Sequence, residues 1–476
     1  MQNTVYLVYP STIGTIAPEI YGHFTELLGG VFYDGLWVGR DSSVPNIDGF
    51  RLSLIEALKK IAPPVLRWPG GCFAETYDWR DGIGENRPVR RSWWTNDDGR
   101  YEPNHVGTHE FVRLCELVGA KPYFAANITS VTPMHIREWM DYCLSPEGST
   151  ALAAERAKNG HPAPFDIPYW GVGNENWGGG GNMTPEYYGM EYRRFATVMS
   201  NTAPKVKLFA CGSSGADYSW TQGLMPVINR RGIPVNGFAM HYYCGAAGDP
   251  VAFTNEEWDR LLAQAARMEE IVTRNWNIIS GWDMQDRCAL VVDEWGCWHP
   301  DGSGPSKGYN LFEQQSTMRD AMVSALTLNI FNRHADKVIM ANAAQLVNNL
   351  HTLFLAGGDR FCVTPTYHVF DMYKGHQGAR AFEAIADNAG LTVSASEKNG
   401  RTLLTIGNLS CTESAEISLK ALDKQLPGKA RLTLLAHEDL HAHNTFETPE
   451  EVKPRETEID PKAFTLPAGG IAAIEL

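Results

Sequence analysis

Long apolar runs are missing from this chain: nowhere in its 476 residues do about 18 apolar residues follow one another, so no membrane-spanning helix is expected. The opening "MQNTVYLVYP" has no basic segment leading into a sustained apolar stretch, and a soluble, cytoplasmic protein is expected. Basic charge is also short. Against 55 acidic residues stand 41 lysines and arginines, a formal charge of -14, which repels phosphate backbones and anionic lipid. Neither nucleic acid nor membrane is expected as a partner. The nine cysteines are scattered singly from Cys72 to Cys411, with no C-x-x-C pair. Buried free thiols in a reducing compartment account for that pattern. Cys297 and His299, taken with His241 and Cys244, make no zinc-like spacing. The glycine run 178–181 is not followed by the Lys-Ser/Thr pair of a phosphate-binding loop. No metal and no cofactor is expected.

What the chain has is 43% hydrophobic residues, enough for one large domain and a smaller one. Short apolar runs end in polar or glycine-rich residues and are followed by helix-like patterns. Eight read as strands, at 19–26, 64–71, 121–129, 169–176, 207–214, 237–245, 289–296 and 338–345. Between them lie amphipathic segments, the clearest from Thr254 to Trp276, where Trp258, Leu261, Leu262, Ala265, Met268, Ile271 and Val272 recur at helical spacing. Thr254 and Glu257 have capping-box spacing, and Thr184 with Pro185 reads as another helix start. The glycine run after Glu175 is therefore a strand-to-helix loop. Continuous rather than alternating apolar strands, eight times over, predict a (β/α)₈ TIM barrel over residues 16–380. A doubly wound open sheet is the structural competitor. After about Arg380 the pattern changes to alternating strands such as "GLTVSAS" and "RTLLTIGNLS". Residues 381–476, with 1–15 as an extra strand, predict a C-terminal β-sandwich of jelly-roll type.

Active sites of such barrels lie at the C-terminal ends of the strands. Those ends carry Glu26, Arg67, Asn127, Asn174 with Glu175, His241 with Tyr243, Asp293 with Glu294, and Gln345. A wall of carboxylates, amides and aromatics suits a hydroxyl-rich neutral ligand. Glu175 and Glu294, on the fourth and seventh strands, face each other across the mouth, as glycoside hydrolysis requires: one carboxyl donates a proton to the leaving oxygen while the other attacks the anomeric carbon. Each residue also has a plainer reading. A lone Asn-Glu after a strand is an ordinary loop carboxylate, Arg67 a structural salt bridge, His241 a satisfied core histidine, Cys72 an inert thiol and Trp298 a packing aromatic. The pairing of Glu175 with Glu294, each followed closely by tryptophan (Trp177, Trp295), favours catalysis. Arg67 then keeps a neighbouring nucleophile ionised.

The segments "IYGHFTELLGGVFYDGLWVG", "VLRWPGGCFAETYDWRDGIG", "GVGNENWG", "HYY", "VVDEWG" and "ANAAQLVN", followed by "TPTYHVFDMY", occur in an order that resembles the α-L-arabinofuranosidases of glycoside hydrolase family 51, retaining barrel glycosidases. The resemblance implies Glu175 as acid/base and Glu294 as nucleophile. It implies Glu26, Asn174, Gln345 and the main chain at Cys72 as contacts to the sugar, Tyr243 as hydrogen-bond donor to the nucleophile, and Trp298 as a wall of the subsite. Arg67 and His241 support the nucleophile. Residues 85–106 and the glycine loop 178–181 fall outside the resemblance and are expected to shape the aglycone side.

The implied reaction is exo-acting double displacement on arabinofuranosyl oligosaccharides from arabinan or arabinoxylan, without cofactor. A homo-oligomer, by resemblance a hexamer, is expected. Two other readings remain: an endo-β-glucanase, xylanase or β-xylosidase of the same clan, and a non-catalytic sugar-binding protein on the same scaffold.

Overall fold

A computed structural model describes residues 3–476. All eight expected strands form, as Gly22–Phe24, Val65–Trp68, Lys121–Ala126, Tyr169–Val172, Lys207–Ser214, Gly237–Gly245, Ala289–Trp298 and Val338–Ala344. Each pairs in parallel with its sequence neighbours, and the eighth pairs with the first, closing a barrel. A closed ring has no edges, which rules out the doubly wound sheet. Val65, Tyr123, Tyr169, Phe209, Ala239, Val291 and Met340 fill the lower interior, one from each of strands two to eight. The first strand contributes Gly22, where a Cβ would sit 2.5 Å from both Val65 and the Asn342 side chain. The barrel is thus packed solid below its mouth, and ligands have access only from above.

The second and third strands end three residues early, at Trp68 and Ala126, and three further departures from expectation have local reasons. Pro18 starts a 3₁₀ turn, Pro18–Tyr21, that shortens the first strand to three residues. The fourth strand stops at Val172, because Gly173 (φ +89°) and Glu175 (φ +44°) take left-handed conformations that no strand accommodates. The segment 254–276 is two helices, Asn255–Ala266 and Met268–Gly281, joined where the N–H of Arg267 turns to the carbonyl of Gln264. Its capping box is present: Glu257 N–H donates to Thr254 Oγ1 at 3.2 Å, and Thr254 N–H to Glu257 Oε2 at 2.8 Å.

The remaining strands build one nine-stranded sheet with a separate core that includes Val5, Leu7, Ile406, Ile417, Leu432 and Ile474. Strands from both ends of the sheet share this core, so the sheet curls on itself as a sandwich. The strand Asn3–Thr15 lies inside it, antiparallel to Arg380–Ala386 and parallel to Ala415–Leu422. Arg455–Ile459 is a strand that alternation did not reveal: it forms an edge, four of its five residues exposed and three charged, which discourages pairing with another chain. From this domain the segment 437–452 crosses to the barrel, where Asn444 Nδ2 donates to the Val363 carbonyl at 2.9 Å and Gln315 Nε2 to the Asn444 carbonyl at 3.3 Å.

Candidate active site

The mouth is built around Arg67, a fully buried guanidinium on the second strand. Its Nε lies 3.5 Å from Asp293 Oδ2, its Nη1 donates to Glu294 Oε1 at 2.8 Å, and its Nη2 to Asn174 Oδ1 at 2.6 Å. Tyr123 holds Asp293 from below through a 2.6 Å hydrogen bond. The Arg67 guanidinium also packs over the Phe24 ring at 4.6 Å. A charge so deep persists only because two carboxylates and an amide surround it.

Glu294 receives a second hydrogen bond, from the Tyr243 hydroxyl to Oε2 at 2.7 Å. Burial pushes its pKa up, but the charges of His241 and Arg67 and the Tyr243 hydroxyl outweigh burial and hold it below the ordinary carboxylate value. Tyr242, the adjacent residue, points elsewhere and donates to the Gln264 carbonyl.

His241 differs in emphasis from its expected role. Its Nδ1 lies 2.9 Å from Glu175 Oε1 and 3.6 Å from Glu294 Oε1, so its closer partner is Glu175. Burial alone would lower its pKa; the carboxylates on either side raise it above the ordinary histidine value. One oxygen of Glu175, one of Glu294 and one His241 nitrogen all lie within 4.8 Å of one another.

Glu175 sits in a loop rather than on the strand. The peptide N–H groups of Gly178 and Gly180 donate to its carbonyl at 2.7 and 3.0 Å, folding the glycine run back over it. At Gly180 a Cβ would come within 1.8 Å of the Asn174 carbonyl oxygen, so only glycine allows that approach. The Cys72 thiol points at Glu175 Oε2 from 3.9 Å.

Beneath this loop lies Glu75, which sequence reasoning passed over. Its fully buried carboxylate accepts from Asn174 N–H at 2.6 Å, Asn176 Nδ2 at 3.0 Å, Ile128 N–H at 2.9 Å and Thr129 N–H at 3.0 Å. It thereby ties the residues on both sides of Glu175 to the end of the third strand. A glutamate in "GGCFAETYDW" carries no sign of this, because all four donors come from elsewhere in the chain.

On the opposite side Glu26 and Gln345 form a pair: Glu26 N–H donates to Gln345 Oε1 at 2.9 Å, and Gln345 Nε2 to Glu26 Oε2 at 3.3 Å. Glu26 Oε1 accepts from Phe73 N–H at 2.9 Å and from Trp94 Nε1 at 3.0 Å. Burial, then the nearby charge of Glu294, push its pKa up to about 8. Asn174 Nδ2 is buried with no protein partner among the described residues, a donor left for a ligand hydroxyl. Trp298 stands at the rim, 40% exposed, edge-on to Tyr243 and Phe312. Trp94 packs against Phe312 in turn. Trp94 lies in the region 85–106, where a tryptophan pair inside a polar stretch was the available signal. Asn127, also at a strand end, is turned away and bonds Ser130 and the Tyr77 carbonyl.

Among the described residues two groups of side chains could in principle ligate a cation. Beside Glu175, His241 and Glu294 the Arg67 guanidinium opposes one. Cys297, His299 and Asp320 also converge, although their spacing gave no hint of it. There the Asp320 oxygens are already engaged by His299 Nε2 at 2.9 Å and by the helix-capping Thr317.

Residues 57–259 match the α-L-arabinofuranosidase 1 domain and residues 293–469 the α-L-arabinofuranosidase C-terminal domain. An intracellular exo-α-L-arabinofuranosidase of Bacteroides ovatus is 38% identical over 97% of this chain and 93% of its own. The chain belongs to the α-L-arabinofuranosidase family. The glycoside hydrolase family 51 arabinofuranosidase of Xanthomonas axonopodis pv. citri superposes with a TM-score of 0.93 at 35% identity, covering 100% of this chain and 99% of that one. A bifunctional glucanase-xylanase from a metagenome library shares the fold alone, at 13% identity and TM-score 0.63, over 100% of this chain and 99% of that one. The matched C-terminal region of this chain begins inside the seventh barrel strand, one residue before Glu294.

Proposed function

We propose that the protein is an exo-acting, retaining α-L-arabinofuranosidase that releases terminal L-arabinofuranose from arabino-oligosaccharides by double displacement. The observation that carries this is the unequal setting of two carboxylates within 4.8 Å: Glu294 held ionised by Arg67 and Tyr243, and Glu175 in contact with an imidazole. Such proximity suits direct attack, whereas inversion needs carboxyl groups about 6.5–9.5 Å apart to admit a water. In glycosylation Glu294 attacks the anomeric carbon as Glu175, in contact with His241, delivers a proton to the leaving oxygen, whose bond to that carbon breaks. In deglycosylation Glu175 takes a proton from water as the water oxygen bonds to the anomeric carbon, and the carbon–Glu294 bond breaks. Arg67 and Tyr243 stabilise the Glu294 carboxylate before attack and after release. Glu26, Gln345, Asn174 and the Cys72 main chain hold the sugar, and Trp298 closes its rim.

Activity on p-nitrophenyl α-L-arabinofuranoside, set against the β-D-xylopyranoside and β-D-glucopyranoside, tests the reading. A preference for either pyranoside overturns it.

The substrates we infer are arabinan and arabinoxylan fragments, and the compartment the cytoplasm. Support comes from the relative described as intracellular and from nine cysteines that are all unpaired. Among the described residues no helix is long and apolar enough to cross a membrane. A homo-oligomer, inferred as a hexamer, is supported by Met134, Tyr187 and Met190, each at least half exposed on neighbouring helices. Sedimentation of a monomer at micromolar concentration overturns that part.

A further inference from the structure

We propose that a groove beside the catalytic pocket is a second glycan-binding site, which holds the neutral sugar residues of an oligosaccharide whose terminal arabinofuranose occupies the pocket. The proposal rests on the activity proposed above and adds to it where the rest of the substrate lies. It starts from a cavity of about 710 Å³ bounded by the loop around Tyr309, the turn 357–360 and, from the sheet domain, Phe446. A smaller cavity of about 360 Å³ shares Tyr33 and Arg100 with it and has Trp94 on its wall. Because Trp94 donates to Glu26, the combined groove ends one side chain from the catalytic pocket.

The same two loops wall both spaces. One carries Trp94 on the catalytic side and Arg100 in the groove; the other carries Phe312 against Trp298 and Tyr309 in the groove. A single oligosaccharide can therefore touch both.

The groove's chemistry suits uncharged sugar rings, which are recognised by a flat aromatic face flanked by planar hydrogen-bonding groups. Tyr309 is 75% exposed, yet it is braced from behind: the Arg100 guanidinium lies 4.3 Å from its ring and donates to the Tyr309 carbonyl and Asn310 Oδ1, both at 2.9 Å. Arg360 braces Phe446 in the same way at 4.6 Å. Exposing a large aromatic ring and then fixing its orientation costs solvation and entropy without any return in folding. Tyr101, 57% exposed, lines the smaller cavity. Three carboxylates (Asp34, Glu313, Asp359) against the two arginines give the lining no attraction for a polyanion. That points to a neutral chain rather than a uronic-acid one.

The test compares kcat/KM on an arabinofuranosyl-substituted xylo-oligosaccharide with kcat/KM on the aryl arabinofuranoside, using the full chain. In Tyr309→Ala and in Phe446→Ala the ratio is expected to fall about three- to tenfold through KM for the oligosaccharide, the scale of one stacking contact. Tyr309→Phe, which keeps the ring, should restore it. A ratio unmoved in both alanine variants, or lost equally in Tyr309→Phe, overturns the groove. Wild-type protein inactive on both arabinosides overturns the activity instead. Calorimetric titration of the same oligosaccharide then decides the groove: a weaker Kd in Tyr309→Ala supports it, and an unchanged or undetectable Kd overturns it.

Discussion

The fourth and seventh strand ends each deliver a glutamate to the same mouth, and they hold it in opposite ways. Glu294 rides on a strand that continues as far as Trp298, with a register shift against both neighbouring strands at Asp293–Glu294, and its carboxylate is gripped directly by a guanidinium and a phenol. Glu175 sits beyond the end of its strand in a left-handed conformation, and its firmest support is indirect, through Glu75 and its hold on Asn174 and Asn176. The difference matches the chemistry proposed for each. A nucleophile needs one position and a constant charge. An acid/base has to lose a proton and regain one in every turnover, so its partner is an imidazole rather than a permanent cation.

The largest expected effect comes from the rigid side of the comparison. Glu294→Ala should lower kcat by at least about 10⁴-fold on every substrate, because no other carboxylate can reach the anomeric carbon. Circular dichroism and a melting curve should show a folded protein. A folded variant with near-wild-type turnover removes Glu294 from the nucleophile role.

The mobile-proton side should behave selectively. An aryl leaving group needs little protonation, so Glu175→Ala should spare glycosylation of the aryl arabinoside and slow deglycosylation, letting the covalent intermediate accumulate. Azide should rescue that step and give an arabinosyl azide of retained configuration. A natural oligosaccharide, with its poor leaving group, should lose far more rate. Equal losses on both substrates without rescue would contradict the assignment.

Glu75 sharpens the same contrast at lower amplitude. Glu75→Gln turns one acceptor oxygen into a donor facing N–H groups, which costs about 1–3 kcal/mol of loop stability. Glu175 should then lose its placement while Glu294 keeps its own. Turnover on oligosaccharides should fall about tenfold to 100-fold, the upper part of what that energy allows, and fall less on the aryl substrate. A uniform loss would mean that Glu75 supports the whole mouth rather than the acid/base loop.

These residues also mark how far the sequence could be read. Strands buried on both faces are continuous apolar runs, so the barrel was visible in eight such runs, and Glu175 and Glu294 stood out as carboxylates ending them. Arg67 and Tyr243 were accessible by position on their strands. Glu75 was not, because its role exists only through donors supplied by residues 128, 129, 174 and 176, a relation with no sequence period. Nor was the fourth strand's early stop, since the left-handed turn at Glu175 is imposed by tertiary hydrogen bonds on a residue with no preference for it. The charged edge strand Arg455–Ile459 escaped for the opposite reason: its surroundings ask nothing apolar of it.

The smallest expected effect concerns the one site carboxyl that shares neither arrangement. Glu26 has a pKa raised to about 8, by burial first and the charge of Glu294 second, with the Trp94 and Phe73 N–H groups pulling it down. Between the ordinary carboxylate range and about 8 the folded protein therefore keeps a proton that the unfolded chain has released. Stability linked to Glu26 is fully present below the unfolded pKa and is lost as pH rises through that window. Trp94→Phe deletes one charge-stabilising donor but keeps an aromatic ring beside Phe312, so the Glu26 pKa should rise further and the decline should extend to higher pH. Melting temperatures of wild type and variant, taken between pH 5 and 9, isolate this, since other titrating groups cancel in the difference. The two curves should run together at the acid end and separate above neutrality, with the variant the less stable. KM for the arabinoside should rise only about three- to tenfold, the worth of one ordinary hydrogen bond. Curves that stay parallel across the whole range would mean that the Trp94 indole does not sense the charge on Glu26, and that its place at the rim is one of packing alone.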